Sequence, residues 1–258
     1  MWGMRSKLRR LVGSIPLSER ELQTSKRTER IDGLTPRFNA LDMAIYNIHV
    51  ATRLDRDRLK QSGMNLQDSL VGDYLEFGVF QGAAFRHVAS RAKVLMPWMR
   101  FLAFDSFAGL PEPKGVDAGS EFFEGQFACS LEEFRRNLER DKIDLSRVQI
   151  VPGWFGTTLT DELRDNLRLQ IASLVFIDCD LYESCVPVLE FITGLLRQGS
   201  IVMFDDWFCF RNDPTKGVQR ATTEWLNRNP QITLTNWMPF SHHGLAFITN
   251  IRVDPAVH

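Results

Sequence analysis

The chain has 258 residues, 44% of them hydrophobic and 24% charged, with a formal net charge of -1. That length suits one sizeable α/β domain with an extension, and the near-neutral balance excludes the global basic field that holds nucleic acid or an anionic membrane. Small-molecule chemistry is the class left standing.

The apolar runs Leu174–Ile177 and Ile201–Phe204 are far too short to span a bilayer and read as buried strands. The stretch Met1–Arg30 is basic, with eight Lys/Arg against three Glu. It carries neither a secretory apolar region nor a lipidation motif, so the cytoplasm is the expected location. The cysteines Cys129, Cys179, Cys185 and Cys209 form no CxxC pair and have no histidine at zinc spacing, which points to reduced thiols.

In chain order, residues 8–67 read as helices and turns, with Leu41, Ala44, Ile45, Ile48 and Leu54 marking an apolar face that packs on the rest of the molecule. After Gly72 the texture becomes short β-rich runs, each followed by a helical segment, the signature of a parallel sheet. Strands are expected at Asp73–Val79, Arg100–Asp105, Val148–Val151, Ile171–Asp178 and Ser200–Phe204. Between them, Gly82–Ala92 reads as a helix, Pro111 and Pro113 enforce a loop, and Ser130-Leu-Glu-Glu133 is a capping box. Thr160 caps a helix to about Arg168, and Ser184 caps one holding Pro187 in its first turn, with Gly199 just past its end. A helix over Gly217–Asn227 precedes two β runs, Ile232–Asn236 and Gly244–Thr249, whose short connection forces antiparallel pairing.

Ligands of an open parallel sheet gather beyond the carboxyl ends of its strands. The first strand ends in Glu76-Phe-Gly78-Val-Phe-Gln-Gly82, where two glycines permit a tight turn and close approach of a ligand to the next helix, and Glu76 can bind a cationic amine. The spacing ExGxxxG departs from the dinucleotide fingerprint GxGxxG. Asp105 stands 23 residues after Gly82, at the end of the second strand, where a carboxylate can take both hydroxyls of a ribose. Glu76 and Asp105 together imply a ligand with an amine and a ribose.

A second cluster comprises Asp178-Cys-Asp180 and Asp205-Asp206. The 27 residues from Asp178 to Asp205 match one helix crossover, which makes the two strands neighbours and brings four carboxylates to one sheet edge. Unpaired acids that close repel unless a cation neutralises them. All-oxygen ligands favour magnesium, with manganese and calcium as alternatives. Period-two geometry sends Asp205 and Asp206 to opposite sides of an extended chain, so the backbone must bend there if both bind metal.

These strings resemble the macrocin O-methyltransferase (TylF-type) family of the class I methyltransferase superfamily. The resemblance runs from about Tyr74 to Trp225 and is carried by Leu75-Glu-Phe-Gly-Val-Phe-Gln-Gly82, Asp105-Ser-Phe-Ala-Gly-Leu-Pro-Glu-Pro113, Pro152-Gly-Trp-Phe155, Asp178-Cys-Asp-Leu-Tyr-Glu-Ser184 and Asp205-Asp206. It implies a Rossmann-like α/β fold: a seven-stranded, mostly parallel sheet with an antiparallel last strand, helices on both faces and an N-terminal helical cap. Residues 1–71 would form the extension and residues 72–258 the catalytic domain. It further implies S-adenosylmethionine as methyl donor and a magnesium ion positioning a hydroxyl of a small, glycosylated acceptor. By position, Asp178, Asp205 and Asp206 would hold the metal, Asp180 would be the general base, and Glu76, Gly78, Gly82, Asp105 and Ser106 would line the cofactor site.

Two features depart from the family's form. Cys179 stands where the common string has glycine, between the two key acids, and the segment Trp207–Lys216 is longer than usual. Trp154 and Phe155 either stack on adenine or pack, Trp207 borders the acceptor or belongs to the core, and His242 and His243, in the loop before the last strand, read as surface or acceptor-lining residues rather than catalytic ones. The rivals are a metal-dependent glycosyltransferase using Asp178-Cys-Asp180 as a DxD motif, a dehalogenase-type phosphatase, and a non-catalytic module with the methyltransferase fold. Expected partners are the acceptor and, through the helical N-terminal segment, further copies of the chain in a homo-oligomer, with no nucleic acid and no membrane.

Overall fold

The computed structural model describes residues 19–61, 65 and 69–252. Of the expected extension, residues 1–18, 62–64 and 66–68 lie outside the described residues, and so do the side chains of the basic run Met1–Arg30. The elements run α1 (Glu19–Gln61), β1 (Asp73–Phe77), α2 (Ala83–Leu95), β2 (Phe101–Asp105), α3 (Leu131–Arg140), β3 (Val148–Pro152), α4 (Asp161–Asn166), β4 (Ala172–Ile177), α5 (Tyr182–Ile192), β5 (Ile201–Phe204), α6 (Gly217–Arg228), β6 (Ile232–Phe240) and β7 (Gly244–Ile251).

Every residue of β1 and of β4 is buried, which requires cover on both faces of the sheet. The strands form one seven-stranded sheet in the order β3-β2-β1-β4-β5-β7-β6. β1 to β5 pair in parallel, whereas β7 runs antiparallel to both β5 and β6. The expected fold is therefore the one that forms, including the adjacency of β4 and β5.

Because successive strand residues point to opposite faces, the apolar runs divide into two cores. Tyr74, Phe101, Ala103, Leu174, Phe176 and Met203 face α1, α2 and α3, together with Leu41, Phe85 and Phe134. Leu75, Phe77, Phe104, Val175, Ile177 and Phe204 face α5 and α6, together with Leu189, Phe191 and Trp225. α1 is thus part of a core rather than an appendage, and its buried positions Leu41, Ala44, Ile45, Ile48 and Thr52 follow the helical period. Leu54 does not share that face. It is 57% exposed, on the opposite side of the helix by the period of about 3.6 residues per turn.

Other expectations shift at element ends. β1 stops at Phe77, two residues short of Val79, because Gly78 takes φ 83° and turns the chain. Ser130 and Thr160 do cap α3 and α4, accepting from the N–H groups of Glu133 and Leu163 at 3.1 Å each. α4 then ends at Asn166 rather than near Arg168, and α5 gives way at Ile192 to a 3-10 turn, Thr193–Leu195. Ser184 is not a cap, since α5 begins at Tyr182, and Pro187 sits beyond its first turn. The cap comes from elsewhere: Asp117 accepts from the N–H of Tyr182 at 2.6 Å and, with its other oxygen, from the N–H of Gly217 at 2.9 Å. One buried carboxylate thereby serves the starts of α5 and α6, where helix N-termini leave donors unpaired and favour negative charge. It also ties the loop between β2 and α3 to both helices.

The placement of α1 in the core yields a direct expectation. Leu41→Ala should lower the unfolding free energy by about 2–5 kcal/mol in guanidinium chloride titrations, whereas Leu54→Ala should change it by no more than about 0.5 kcal/mol. A small effect at Leu41 would mean that α1 does not unfold with the sheet.

Candidate active site

A cavity of about 650 Å³ opens beyond the carboxyl ends of β1, β2, β4 and β5 and is lined by Gly78, Asp105, Ser106, Asp178, Asp180, Asp205 and Asp206. Gly82 lies just behind it as the N-cap of α2. Glu76 does not line it. That side chain is 1% exposed, on the α1 side of the sheet, and its carboxylate accepts the hydroxyl proton of Tyr74. Burial holds the Glu76 carboxyl well above the usual range despite this bond.

The glycine turn has a steric cause. A Cβ on Gly78, at φ 83°, would lie 1.8 Å from the carbonyl oxygen of Asp178, and one on Gly82, at φ 79°, would lie 2.6 Å from the ring of Phe134. β1 and β4 can therefore come together at their ends only with glycine at 78, and α2 can approach α3 only with glycine at 82. Asp105 fixes this turn from the neighbouring strand. Its Oδ2 accepts from the N–H groups of Val79 and Phe80 at 2.7 and 3.2 Å, and its Oδ1 from that of Phe107 at 2.7 Å. Ser106 is likewise engaged in its own loop, donating to the carbonyl of Gly109 at 2.9 Å.

Beyond β4 and β5 the acids converge as their spacing implies. Asp178, Asp205 and Asp206 each offer a carboxylate oxygen within 4.8 Å of the others. The chain does bend at Asp205 and Asp206, which lie in a turn directly after β5. Asp180 lies outside that triplet but beside Asp206, in a left-handed conformation at φ 58°, and its N–H donates to Asp206 Oδ2 at 3.0 Å. Cys179 is not among the left-handed residues of the turn, so a side chain there needs no glycine-like backbone; its thiol packs beside Cys185. Burial raises the carboxyl pKa of Asp180, Asp205 and Asp206 far above the ordinary range and that of Asp178 less, with the neighbouring acids adding to the effect.

The residue that sequence reasoning missed is Arg37. From α1 its guanidinium donates to Asp205 Oδ2 and lies 3.5 Å from Asp178 Oδ2, over the ring of Phe176 at 5.9 Å from the centroid. Burial alone would make it easier to deprotonate, but the charges of Asp178, Asp205, Asp206 and Glu76 outweigh that and raise its pKa. One guanidinium cannot offset every acid, and Asp205 Oδ1 stays buried with no hydrogen-bond partner. Such an orphaned acceptor calls for a partner, and an all-oxygen triplet around it fits a hard divalent ion.

The aromatic residues divide. Trp154 is 45% exposed and lines the cavity. Phe155 lines it too while packing edge-on against Phe77, 5.9 Å between centroids. Trp207 is core, packed on Phe204 and Phe247 at 5.2 and 4.6 Å. His242 and His243 are exposed in the turn before β7, away from the cavity. Phe80, Gln126, Phe127 and Glu183 line the cavity without having been singled out. The segment Trp207–Lys216 makes a left-handed turn at Phe210, Arg211 and Asn212, and Phe210 packs on Phe122 of the loop after β2, 5.5 Å between centroids.

Comparison with known proteins follows the same geometry. The model of the macrocin-O-methyltransferase (TylF) family matches residues 15–233, reaching upstream of Tyr74 across α1. A tetracenomycin-type 4'-O-methyltransferase of Streptomyces olivaceus, named for a dimethoxyrhamnosyl substrate, is 33% identical over 150 residues, covering 55% of this chain and 55% of its own length. Demethyldecarbamoylnovobiocin O-methyltransferase of Streptomyces niveus is 29% identical over 153 residues, covering 54% of each. The matched region is thus about half the length of these curated relatives. Among solved structures, the calicheamicin methyltransferase CalS11 superposes with a TM-score of 0.59 at 24% identity, covering 91% of this chain and 94% of that one. The O-methyltransferase NovP gives 0.57 at 21%, covering 81% and 79%. At such identities the superpositions speak for the fold.

The turn at Gly78 can be tested on its own. Gly78→Ala forces a Cβ against the Asp178 carbonyl at a positive φ and should cost at least about 2 kcal/mol of unfolding free energy. An unchanged melting temperature would show that the ends of β1 and β4 are not in this contact.

Proposed function

The chain belongs to the macrocin O-methyltransferase (TylF) family, and from that premise we propose that it transfers a methyl group from S-adenosylmethionine to a hydroxyl of a glycosylated small molecule. The reaction is magnesium-dependent, with Asp180 as the base. The observation that carries this reading is the opening of two separate residue sets into one cavity: the glycine turn with Asp105 at β1 and β2, and the acids at β4 and β5. The first set suits a nucleoside-bearing donor and the second an ion and the hydroxyl beside it. The sugar-bearing acceptor rests on the relatives, two of which are named for rhamnosyl-tetracenomycin and novobiocin chemistry.

When bound, S-adenosylmethionine supplies the methyl group and the divalent ion supplies Lewis-acid assistance to ionisation of the acceptor hydroxyl. The protein's own work is positional. The backbone at Gly78 leaves the cavity floor open, and Asp105, already tied to three backbone N–H groups, has lone-pair capacity left for a ribose hydroxyl. Asp178, Asp205 and Asp206 would hold the ion. Asp180 lines the same cavity, is fixed through its backbone to Asp206, and takes the hydroxyl proton on its carboxylate, which a bound cation would keep ionised against the burial that raises its pKa. Holding the two reactants in line at near contact is the larger contribution, because proximity alone removes many orders of magnitude of entropic cost. Glu76 keeps Oε1 outside its bond with Tyr74, which engages Oε2, and that oxygen would be the one to meet the donor's amine.

Three measurements bear on this. Calorimetry should show heat on addition of S-adenosylhomocysteine and none with UDP-sugars; the reverse would favour the glycosyltransferase reading. Asp180→Asn should keep cofactor affinity while turnover drops by a factor of about 10² or more. EDTA should abolish methyl transfer to a panel of glycosylated metabolites, with magnesium restoring it, and full activity in chelator would remove the metal from the proposal.

A further inference from the structure

We propose that Arg37 is a built-in competitor for the metal site: its guanidinium holds two of the three carboxylates a divalent ion needs, so metal enters by displacing it and the affinity of the site is set from α1. This rests on the metal reading above and deepens it.

The argument starts from shared ligands. Arg37 reaches Asp205 and Asp178, and both belong with Asp206 to the triplet whose oxygens lie within 4.8 Å of one another. An ion bound by those oxygens stands close to the guanidinium, in a buried place where like charges are poorly screened. Even an ion entering through the unpaired Asp205 Oδ1 would stand beside the guanidinium held on Oδ2 of the same carboxylate, and the repulsion between the two cations sets them in competition. Arg37 is also incompletely satisfied where it is: its Nε is buried without a hydrogen-bond partner, so leaving the acids does not break a fully bonded arrangement.

The position of Arg37 is set by helix packing rather than by the acids. One turn along the same face, Leu41 is fully buried in the core. Phe38 stacks on His87 at 4.4 Å, and His87 meets Asp42 at 2.8 Å. With α1 anchored to α2 in this way, the side chain of Arg37 has a fixed base and a long flexible stem, able to swing off the acids without moving the helix. The positive charge then remains at the mouth of the site, because Arg37 lines the cavity.

Binding of Mn²⁺, followed by the loss of its free EPR signal in metal-depleted protein, tests this without reference to turnover. Arg37→Gln should tighten Mn²⁺ binding at least tenfold and lower the melting temperature of the metal-depleted protein, while enlarging the rise in melting temperature that saturating Mn²⁺ produces. Arg37→Lys, which keeps the charge but not the fork, should fall between the two, and it carries the measurement if Arg37→Gln does not fold without metal. Equal or weaker Mn²⁺ binding by the variants, with the wild type still binding, would overturn the role of Arg37 alone. Absence of Mn²⁺ binding by wild type, variants and Asp206→Asn alike would overturn the metal site and this inference together.

Discussion

Four carboxylates gathered at the ends of two adjacent strands are the constraint to which the rest of this molecule answers. Two like charges at about 4 Å repel by roughly 4 kcal/mol at the effective dielectric of a protein site, and the repulsive pairs among Asp178, Asp180, Asp205 and Asp206 outnumber the attractive ones that a single Arg37 can provide. Burial adds to the strain, and the carboxyl pKa values rise accordingly. Buried acids of this kind are retained when something in the reaction needs them. The backbone turn at Asp180, the orphaned oxygen of Asp205 and the reach of α1 across the sheet are all consequences of placing them there.

The other half of the cavity is held by steric fit and by hydrogen bonds from the backbone. Gly78 lets β1 meet β4 without collision, and Asp105 draws the resulting loop down through hydrogen bonds from Val79, Phe80 and Phe107. These contacts are short in range and leave the carboxylates of Asp178, Asp180, Asp205 and Asp206 aside. The half of the cavity at β1 and β2 is therefore rigid through sterics and hydrogen bonding, while the half at β4 and β5 is governed by charge.

Much of this was legible in the sequence because it depends on local pattern. Continuous apolar runs gave buried parallel strands, and one crossover's length between Asp178 and Asp205 placed β4 beside β5. Ser130 and Thr160 were readable as caps because their partners lie three residues on. What escaped notice depends on residues far apart in the chain. Arg37 looks like any charged residue on an amphipathic helix until the fold puts it over Phe176. Ser184 reads as a cap because it is the local candidate, whereas the cap of α5 is Asp117, 65 residues from Tyr182. Leu54 reads with the buried face because it is apolar, although the helical period turns it outward. Glu76 has the right place on β1 for an amine ligand, but Tyr74, two residues before it on the same face, competes for its carboxylate.

The double duty of Asp117 bears on how such a scaffold diversifies. The loop between β2 and α3 closes on itself near the cavity, where the N–H of Leu110 donates to the carbonyl of Gln126 at 2.8 Å and the N–H of Gly125 to the carbonyl of Leu110 at 2.9 Å. Its outer part is tied at Asp117 to the starts of α5 and α6 and at Phe122 to Phe210, while Gly119 between those anchors faces open space. Insertions at that outer position can reshape the cavity rim while leaving the acids beyond β4 and β5 and their charge balance undisturbed. The shape of the rim can then change by loop drift alone, provided the aspartate that joins the loop to α5 and α6 is kept.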